Sequence, residues 1–504
     1  MSERPIDRIP FDIWENISHF LPSAVLTTLA EVSQPFHIIA TRARYEVLKF
    51  VKFDRYTKWL CQNLGDPKFG RCDVVRRLEI TPWLVKPRVK SYRNQGVNLW
   101  RIVTHLFDPD CETREMNELT RKRVKKEVDR ISEVVKKLSN VTEYKLGWDQ
   151  NRGYHPEFFH AFLCPVLTRM WDRLVILSLK VPPEALQSLA SISLPRLQEL
   201  EVTVCTLDLK RKEVDGIFDS FTVFVNNLFP TLRSLCISSV LPSQFLDFSR
   251  FFNHLGFFPQ LDTFRFSIPF DGAHLSSPVV LSKFLTKHQK TLRHLQLTVS
   301  RCGTYDIPLP PSSKYWIPNI LASLGTPGPQ LHEIHLALRP LKADLAPVAS
   351  LLRQHARTLK SLTLVDRRLT YQEVQFILDA VIDPVSETCS LRHLHLRICH
   401  LSPPFLDLLS SRLPRLAHLE LDFAEVVATA AHVNSNYPAH SKRAELTSFK
   451  KKVWDRRASY AEWELETLSV SQGPSTYLWL AELQGLFEKC VPGLQFKELL
   501  PSAC

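Results

Sequence analysis

Five histidines recur at matching places in four short leucine-rich segments, and they are the side chains best suited to chemistry. The segments read LRHLQL from 292, LHEIHL from 331, LRHLHL from 391 and LAHLEL from 416. Imidazole binds zinc, and its charge changes between about pH 5 and pH 8. Because alternate residues of a strand share one face, these histidines are predicted to lie together if the segments are neighbouring strands.

Two interpretations of this polar face remain open. It is either a metal-binding or pH-responsive patch, or a solvated sheet face that contacts a protein partner. The second interpretation is favoured, since polar residues are ordinary on the open face of a sheet. We therefore assign no metal ligand. With an arginine from the segment LDTFRF, the candidate partner-binding residues are Arg265, His294, His335, His393, His395 and His418.

Motifs of common catalytic sites do not occur in the chain. It contains no Gly-x-x-x-x-Gly-Lys-Ser/Thr, Gly-x-Gly-x-x-Gly, Gly-x-Ser-x-Gly or His-Glu-x-x-His pattern. Only 14 glycines occur in 504 residues, which is sparse for a phosphate-cradling or oxyanion loop. The sequence therefore predicts a non-catalytic protein without a cofactor.

Composition places the chain among globular intracellular proteins. It is 44% apolar and 23% charged, and no run of about 18 apolar residues or signal-like N-terminal segment occurs. Eleven cysteines form no Cys-x-x-Cys pair, which favours reduced thiols. We expect a cytoplasmic or nuclear location and no membrane partner.

Positive charge is concentrated in residues 48–106. This segment holds thirteen Lys or Arg against four acidic residues, in a chain of net charge +12. Nucleic acid or an acidic protein would suit this mixture of charge and aromatic rings, yet no nucleic-acid-binding module is recognisable. A basic linker with a first irregular repeat is favoured, and nucleic acid is not predicted as a partner. The aromatic residues are Tyr56, Trp59, Trp83, Tyr92 and Trp100.

The elements that position these residues follow from a repeated Leu-x-x-Leu-x-Leu pattern. Ten units begin at 174, 197, 232, 261, 292, 331, 359, 391, 416 and 465, and looser ones begin at 75 and 141. Alternating apolar residues predict short strands with one buried face. Helical segments at 280–290, 345–356 and 370–382 lie between strands, which predicts parallel neighbours in an α/β fold. Residues 117–141 predict a longer amphipathic helix.

The units resemble leucine-rich repeats. Two of them also have cysteine at the ninth place, and their spacings of 23 to 49 residues are longer and less even than usual. The resemblance implies an irregular solenoid over 107–504, with parallel strands inside, helices outside and an insertion near 424–462. The two fullest matches are Leu391, Leu394, Leu396, Cys399 and Leu401, and Leu197, Leu200, Val202, Cys205 and Leu207.

Residues 1–47 form a separate apolar module of three predicted short helices. In the first helix, Ile13, Trp14, Ile17, Phe20 and Leu21 fill an arc of about 120°. About 40 residues without a disulfide or metal do not ordinarily bury enough surface to be stable alone. A partner protein is therefore expected to cover part of the apolar surface.

The segment IPFDIWENISHFLPSAVLTTLAEVSQPF resembles an F-box, although Phe36 stands where Trp is commoner and Gln34 where a basic residue is common. The resemblance implies a substrate receptor of a Skp/cullin/F-box ubiquitin ligase. The F-box would bind a Skp-family adaptor and through it a cullin, while the repeats would bind a target protein. Trp14 is the expected hot spot. The implied adaptor-binding residues are Pro10, Ile13, Trp14, Ile17, Leu21, Leu26, Leu29, Val32 and Phe36.

A leucine-rich-repeat scaffold that binds protein or nucleic acid, without a ligase role, is the alternative. Repeat arrays need helical caps, and residues 8–47 would then seal the first repeat and bind no adaptor. Because the module has more than one apolar face, the F-box interpretation is favoured.

Overall fold

A repeated strand-and-helix pattern organises the computed structural model of the chain. The structure describes residues 9–65, 72–85, 111–148, 155–206, 209–240, 243, 245–300, 316–324, 331–341, 344–382, 389–428, 439–472 and 480–498. Its strands are β1 Val47–Phe50, β2 Arg77–Ile80, β3 Glu143–Gly147, β4 Ile176–Lys180, β5 Glu199–Val204, β6 Ser234–Ser239, β7 Thr263–Pro269, β8 His294–Ser300, β9 Glu333–Ala337, β10 Ser361–Leu369, β11 His393–Leu401, β12 His418–Val426, β13 Thr467–Gln472 and β14 Gln495–Glu498.

Each predicted Leu-x-x-Leu-x-Leu unit forms a strand, from β2 at the unit beginning at 75 to β13 at the unit beginning at 465. The leucines at the fourth and sixth places are buried, as Leu394 and Leu396 of β11 show. Their neighbours His393 and His395 lie on the opposite face of the same strand. The prediction of strands with one buried face is confirmed.

The described chain separates into two compact units. One comprises the described residues up to Thr203 together with Gly216–Thr231, and the other comprises Val204–Asp215 and the residues from Leu232 onward. In the first unit β1 to β5 pair in parallel and in chain order. In the second, β6 to β14 do the same. The α/β class and the parallel pairing are confirmed, whereas the predicted boundaries at 47 and 106 remain predictions.

Helices connect the strands, as parallel pairing requires. They are α1 Phe11–His19, α2 Ser23–Leu29, α3 Gln34–Tyr45, α4 Arg55–Gly65, α5 Cys111–Val135, α6 Glu157–Phe162, α7 Cys164–Arg169, α8 Pro183–Gln187, α9 Arg211–Asn226, α10 Phe248–His254, α11 Pro278–Lys287, α12 Trp316–Ser323, α13 Ala346–His355, α14 Tyr371–Val381, α15 Pro403–Arg412, α16 Ala439–Asp455, α17 Arg457–Tyr460 and α18 Leu480–Cys490.

The segment predicted as an insertion, 424–462, contains a packed helix. Leu446, Phe449 and Val453 follow one another at helical spacing on α16, and all three are buried. The helix connects β12 to β13 as the other crossovers connect their strands. The described part of the predicted insertion is therefore a helical crossover, and residues 429–438 lie outside the described residues.

A capping box begins α14. The Thr370 hydroxyl accepts a hydrogen bond from the Glu373 amide at 3.3 Å, and Glu373 Oε2 accepts one from the Thr370 amide at 2.8 Å. Thr370→Ala should lower the free energy of unfolding by about 1 kcal/mol, because it leaves a helix-terminal N–H without its partner. Urea denaturation measures this change. Thr447→Ala, at an exposed site inside α16, is the matched control, and an equal loss there would contradict the capping role.

Candidate functional site

Helix α1 presents two different apolar faces. Trp14 and Ser18 lie inward, and Trp14 packs in a small core with Phe36 and Ile39. The rings of Trp14 and Phe36 meet edge to face with centroids 5.2 Å apart. This core holds α1 against α3 and gives the three-helix module a defined shape.

The second face of α1 is exposed and also apolar. Ile13 is 44% exposed, Ile17 is 40% exposed, and Phe20, at the end of the helix, is 87% exposed. Steps of four and three residues place these side chains in one row, and Ile9, just before the helix, is 38% exposed as well. We call Ile9, Ile13, Ile17 and Phe20 the docking stripe. An exposed row of large apolar side chains is typical of a binding surface.

The predicted adaptor-binding residues thus occupy three environments. Pro10, Ile13, Ile17 and Val32 are exposed. The partly buried Leu21, Leu26 and Leu29 pack against the core of the module, and Trp14 and Phe36 belong to that core.

The expectation that Trp14 is a contact hot spot does not fit its position, because its side chain is buried, at 9% exposure, and faces Phe36. Phe20, which the predicted set omits although it falls in the apolar arc, is far more accessible.

A cavity of about 680 Å³ lies between α2 and α3. Its lining mixes the apolar Leu26, Ala30 and Ala40 with the charged Glu31 and Arg44. The second and third helices therefore offer a partner a recess beside Leu26, one of the predicted adaptor-binding residues.

Strand register confirms that the histidine-rich segments share one sheet face. His294 lies beside Glu333, and His393 lies beside His418. The row formed by the next alternate residues carries Arg265, His335 and His395, with Gln296 and Thr363 between them. We call these two rows the polar sheet face.

Polar contacts cross this face from strand to strand. His294 Nδ1 lies 3.0 Å from Glu333 Oε2, and His395 Nδ1 lies 3.4 Å from Glu420 Oε2. The rings of His393 and His418 stack with centroids 4.2 Å apart. Each contact pairs neighbours on the sheet, as cross-strand side chains do.

Burial lowers the basicity of several of these imidazoles. Desolvation lowers the pKa of His335 to about 4, and it lowers the pKa values of His393 and His395 as well. Near neutral pH these three side chains are therefore uncharged. Within the described residues no group of three or more His, Cys, Asp or Glu side chains is arranged to hold a metal ion.

The two cysteines at the ninth places differ in exposure. Cys205 is buried, as its predicted structural place requires, whereas Cys399 is half-buried near Arg367 and Arg368. Burial raises the pKa of the Cys399 thiol, so a reactive thiolate is not favoured.

The basic run at 449–457 is part of the helical packing. Lys450 pairs with Glu482 at 2.8 Å, and Arg456 pairs with Asp407 at 2.8 Å. The Arg457 guanidinium lies 4.6 Å from the centroid of the Trp454 ring. The side chains of Lys450, Arg456 and Arg457 therefore make intramolecular contacts.

A scan against protein-family models and a search of curated proteins returned no match for this chain. Among the helices that the structure describes, none has the length and apolarity to cross a membrane. Function is therefore inferred from the residues and their geometry.

Proposed function

We propose that the chain is an F-box and leucine-rich-repeat substrate receptor of a Skp/cullin/F-box ubiquitin ligase. The docking stripe carries this proposal, because α1 already uses one apolar face for its own core and leaves a second one uncovered. The F-box pattern in residues 9–36 supplies the class of partner. The chain itself performs no chemistry, and a cytoplasmic or nuclear location remains a prediction.

The adaptor is expected to cover the docking stripe and the recess between α2 and α3. Interfaces of this kind depend on a few buried apolar anchors. Ile13, Ile17 and Phe20 are preformed anchors, since helix α1 fixes their spacing before binding. Trp14 contributes by holding the helix in place rather than by touching the adaptor.

The polar sheet face is proposed to contact the target protein. Polar and charged side chains at regular spacing allow many hydrogen bonds to a protein surface. Arg265, His294, His335, His393, His395 and His418 lie on this face. A bound target would be held near the ubiquitin-charged enzyme on the cullin, which raises the local concentration of its lysines.

Copurification tests the proposal. The full-length chain should recover a Skp-family adaptor and a cullin, and a chain without residues 1–47 should recover neither. Direct mixing with purified adaptor then measures the affinity. Absence of both proteins from the full-length sample would contradict the ligase role.

A repeat scaffold capped by the three helices is the second candidate function, and one observation favours it. Helix α3 ends at Tyr45 and β1 begins at Val47, so the module continues directly into the sheet.

Two exposed aromatic rings follow in the chain. The rings of Tyr56 and Trp59 stack with centroids 5.9 Å apart. Such rings among basic residues suit nucleic acid or an acidic protein. Of the other aromatic residues, Tyr92 and Trp100 lie outside the described residues.

Trp14→Ala is expected to unfold the module locally. Removing a buried tryptophan costs about 3–5 kcal/mol, of the order of the stability of so small a unit. Hydrogen exchange should show loss of protection in α1 to α3, together with loss of adaptor binding. Trp14→Phe should retain protection because it keeps the contact with Phe36, and Trp454→Ala is an exposed control. Full protection in Trp14→Ala would contradict the core position.

A further inference from the structure

Strand β10 contains a charged bulge. Its pairing with β11 runs from Ser361 opposite His393 to Leu364 opposite Leu396, and it resumes only at Leu369 opposite Ile398. Residues 365–368, which read VDRR, therefore have no place in the β11 ladder. Asp366 adopts a φ of 75°, a left-handed conformation that residues other than glycine rarely adopt. We call residues 365–368 the arginine bulge.

Donors of the arginine bulge are buried without partners. Arg367 uses Nη1 to donate to Glu373 Oε1 at 2.7 Å, while its buried Nε and Nη2 have no hydrogen-bond partner among the described residues. Nε and Nη2 together form one edge of the guanidinium fork, the arrangement that binds two oxygens of a single anion. The buried Arg368 Nε likewise has no partner in the part of the chain that the structure describes.

The surrounding ion pairs do not involve the Nε/Nη2 edge of Arg367. Asp422 accepts from Arg397 at 2.9 Å and lies 3.4 Å from Arg368. On the other side, Arg339 pairs with Asp366 Oδ1 at 3.2 Å, while no described residue partners the buried Asp366 Oδ2. Burial raises the pKa of the Asp366 carboxyl. The cluster therefore contains more arginines than acidic residues. Its arginines are Arg339, Arg367, Arg368 and Arg397, and its acidic residues are Asp366, Glu373 and Asp422.

Strained backbone and unpaired buried donors at one place are typical of a site that binds something. We propose that the arginine bulge binds an oxyanion, the carboxylate or phosphate of an acidic segment in a protein partner, on the Nε/Nη2 edge of Arg367 and on Arg368. Side chains of Arg367, Arg368 and Arg397 are 24%, 37% and 34% exposed, so the site lies at the surface. Residues 365–368 are not paired with β11, and the proposed binding requires them to shift so that the buried edge of Arg367 reaches the anion.

Oxyanion binding stands by itself, whereas its role in recognising a ligase target rests on the proposed function. A failure of the site leaves adaptor copurification intact, and a failure of copurification leaves oxyanion binding intact. The two outcomes are therefore distinguishable.

Calorimetric titration of the full-length chain tests the site. The probes are inorganic phosphate and three short Gly/Ser peptides whose central residue is phosphoserine, glutamate or glutamine. Phosphate and at least one anionic peptide should bind, and the glutamine peptide should not. Arg367→Lys keeps the charge but lacks the fork, and it should weaken binding about tenfold or more. Arg392→Gln, an exposed arginine just before β11, is the matched control and should bind as the unaltered chain does.

The anionic peptides also distinguish the source of the oxyanion. Preference for phosphoserine indicates a phosphorylated partner, and equal binding of glutamate indicates an acidic one. Either result supports the site, provided that Arg367→Lys weakens binding of the anionic probe. Absence of binding to every anionic probe, or equal binding by Arg367→Lys and the unaltered chain, would overturn the proposal.

Discussion

Replacing Ile13 and Ile17 together with aspartate is expected to abolish recovery of the Skp-family adaptor while the chain stays folded. Both side chains are at least two-fifths exposed in the free chain, so carboxylates there remain hydrated. In the complex they would lie against apolar side chains of the adaptor without a partner. Each substitution should cost roughly 2 kcal/mol or more, about thirtyfold in affinity for each one.

Affinity of the purified chain for the adaptor measures this effect, with hydrogen exchange in α1 to α3 as the test of folding. Val279→Asp is the matched control, because Val279 is a 58% exposed aliphatic residue on α11 and is not part of the module. It should bind the adaptor as the unaltered chain does. Retained affinity in the double variant, with the module protected, would show that the docking stripe is not the interface.

Comparison with Trp14→Ala distinguishes residues that contact the adaptor from a residue that holds helix α1 in place. The double aspartate variant is expected to lose binding and keep protection, whereas Trp14→Ala is expected to lose both. If both variants lose protection from hydrogen exchange, substitution of the exposed face of α1 also disrupts its buried face. A helical cap, by contrast, predicts no adaptor binding in any variant and no change on substituting the docking stripe.

The repeats could be predicted from sequence because each one obeys a local rule. Buried leucines at the fourth and sixth places and a polar residue between them predict a strand wherever they recur. Strands β1 and β14 were missed, since their units depart from the pattern: Tyr45 stands at the first place before β1, and Gly493 and Glu498 stand at the first and sixth places of the β14 unit. The polar sheet face followed from the same alternation, which places His393 and His395 opposite the leucines.

Sequence periodicity alone could not show which apolar residues of α1 face the core and which face solvent. Trp14 and Ile13 differ by one residue, or 100° around the helix, and only the position of α3 decides which side is covered. The ring of Phe36 covers Trp14 and leaves Ile13 exposed. Phe20, at the end of the helix, was for the same reason not recognised as the most exposed member of the docking stripe.

The arginine bulge was also beyond sequence reasoning. The run VDRR interrupts the alternation of β10, which is a signal, but charge alone does not distinguish a loop from a bulge. The φ of Asp366 and the unpaired edge of Arg367 depend on how β9 and β11 flank the strand.

Acid is expected to destabilise the folded chain strongly between about pH 6.5 and pH 4. Burial lowers the pKa of His274, His335 and His355 from 6.5 to about 4 in the folded state. As the pH falls through 6.5, the unfolded chain takes up protons that the folded chain does not bind. Stability must therefore rise with pH across this window. The almost fully buried His274 and His355 should each contribute a loss of about 3 kcal/mol at pH 4.

Urea denaturation at a series of pH values measures this dependence. His355→Gln removes one buried imidazole from α13 and should reduce the loss of stability at pH 4 by about 3 kcal/mol, whereas His400→Gln, at an exposed site on β11, should not reduce it. His355 lines a pocket with Gln289 and with apolar side chains that include Leu285, Leu292 and Leu351, and no carboxylate lines it among the described residues. A folded state as stable at pH 4.5 as at pH 7 would show that these imidazoles reach water or a partner when protonated.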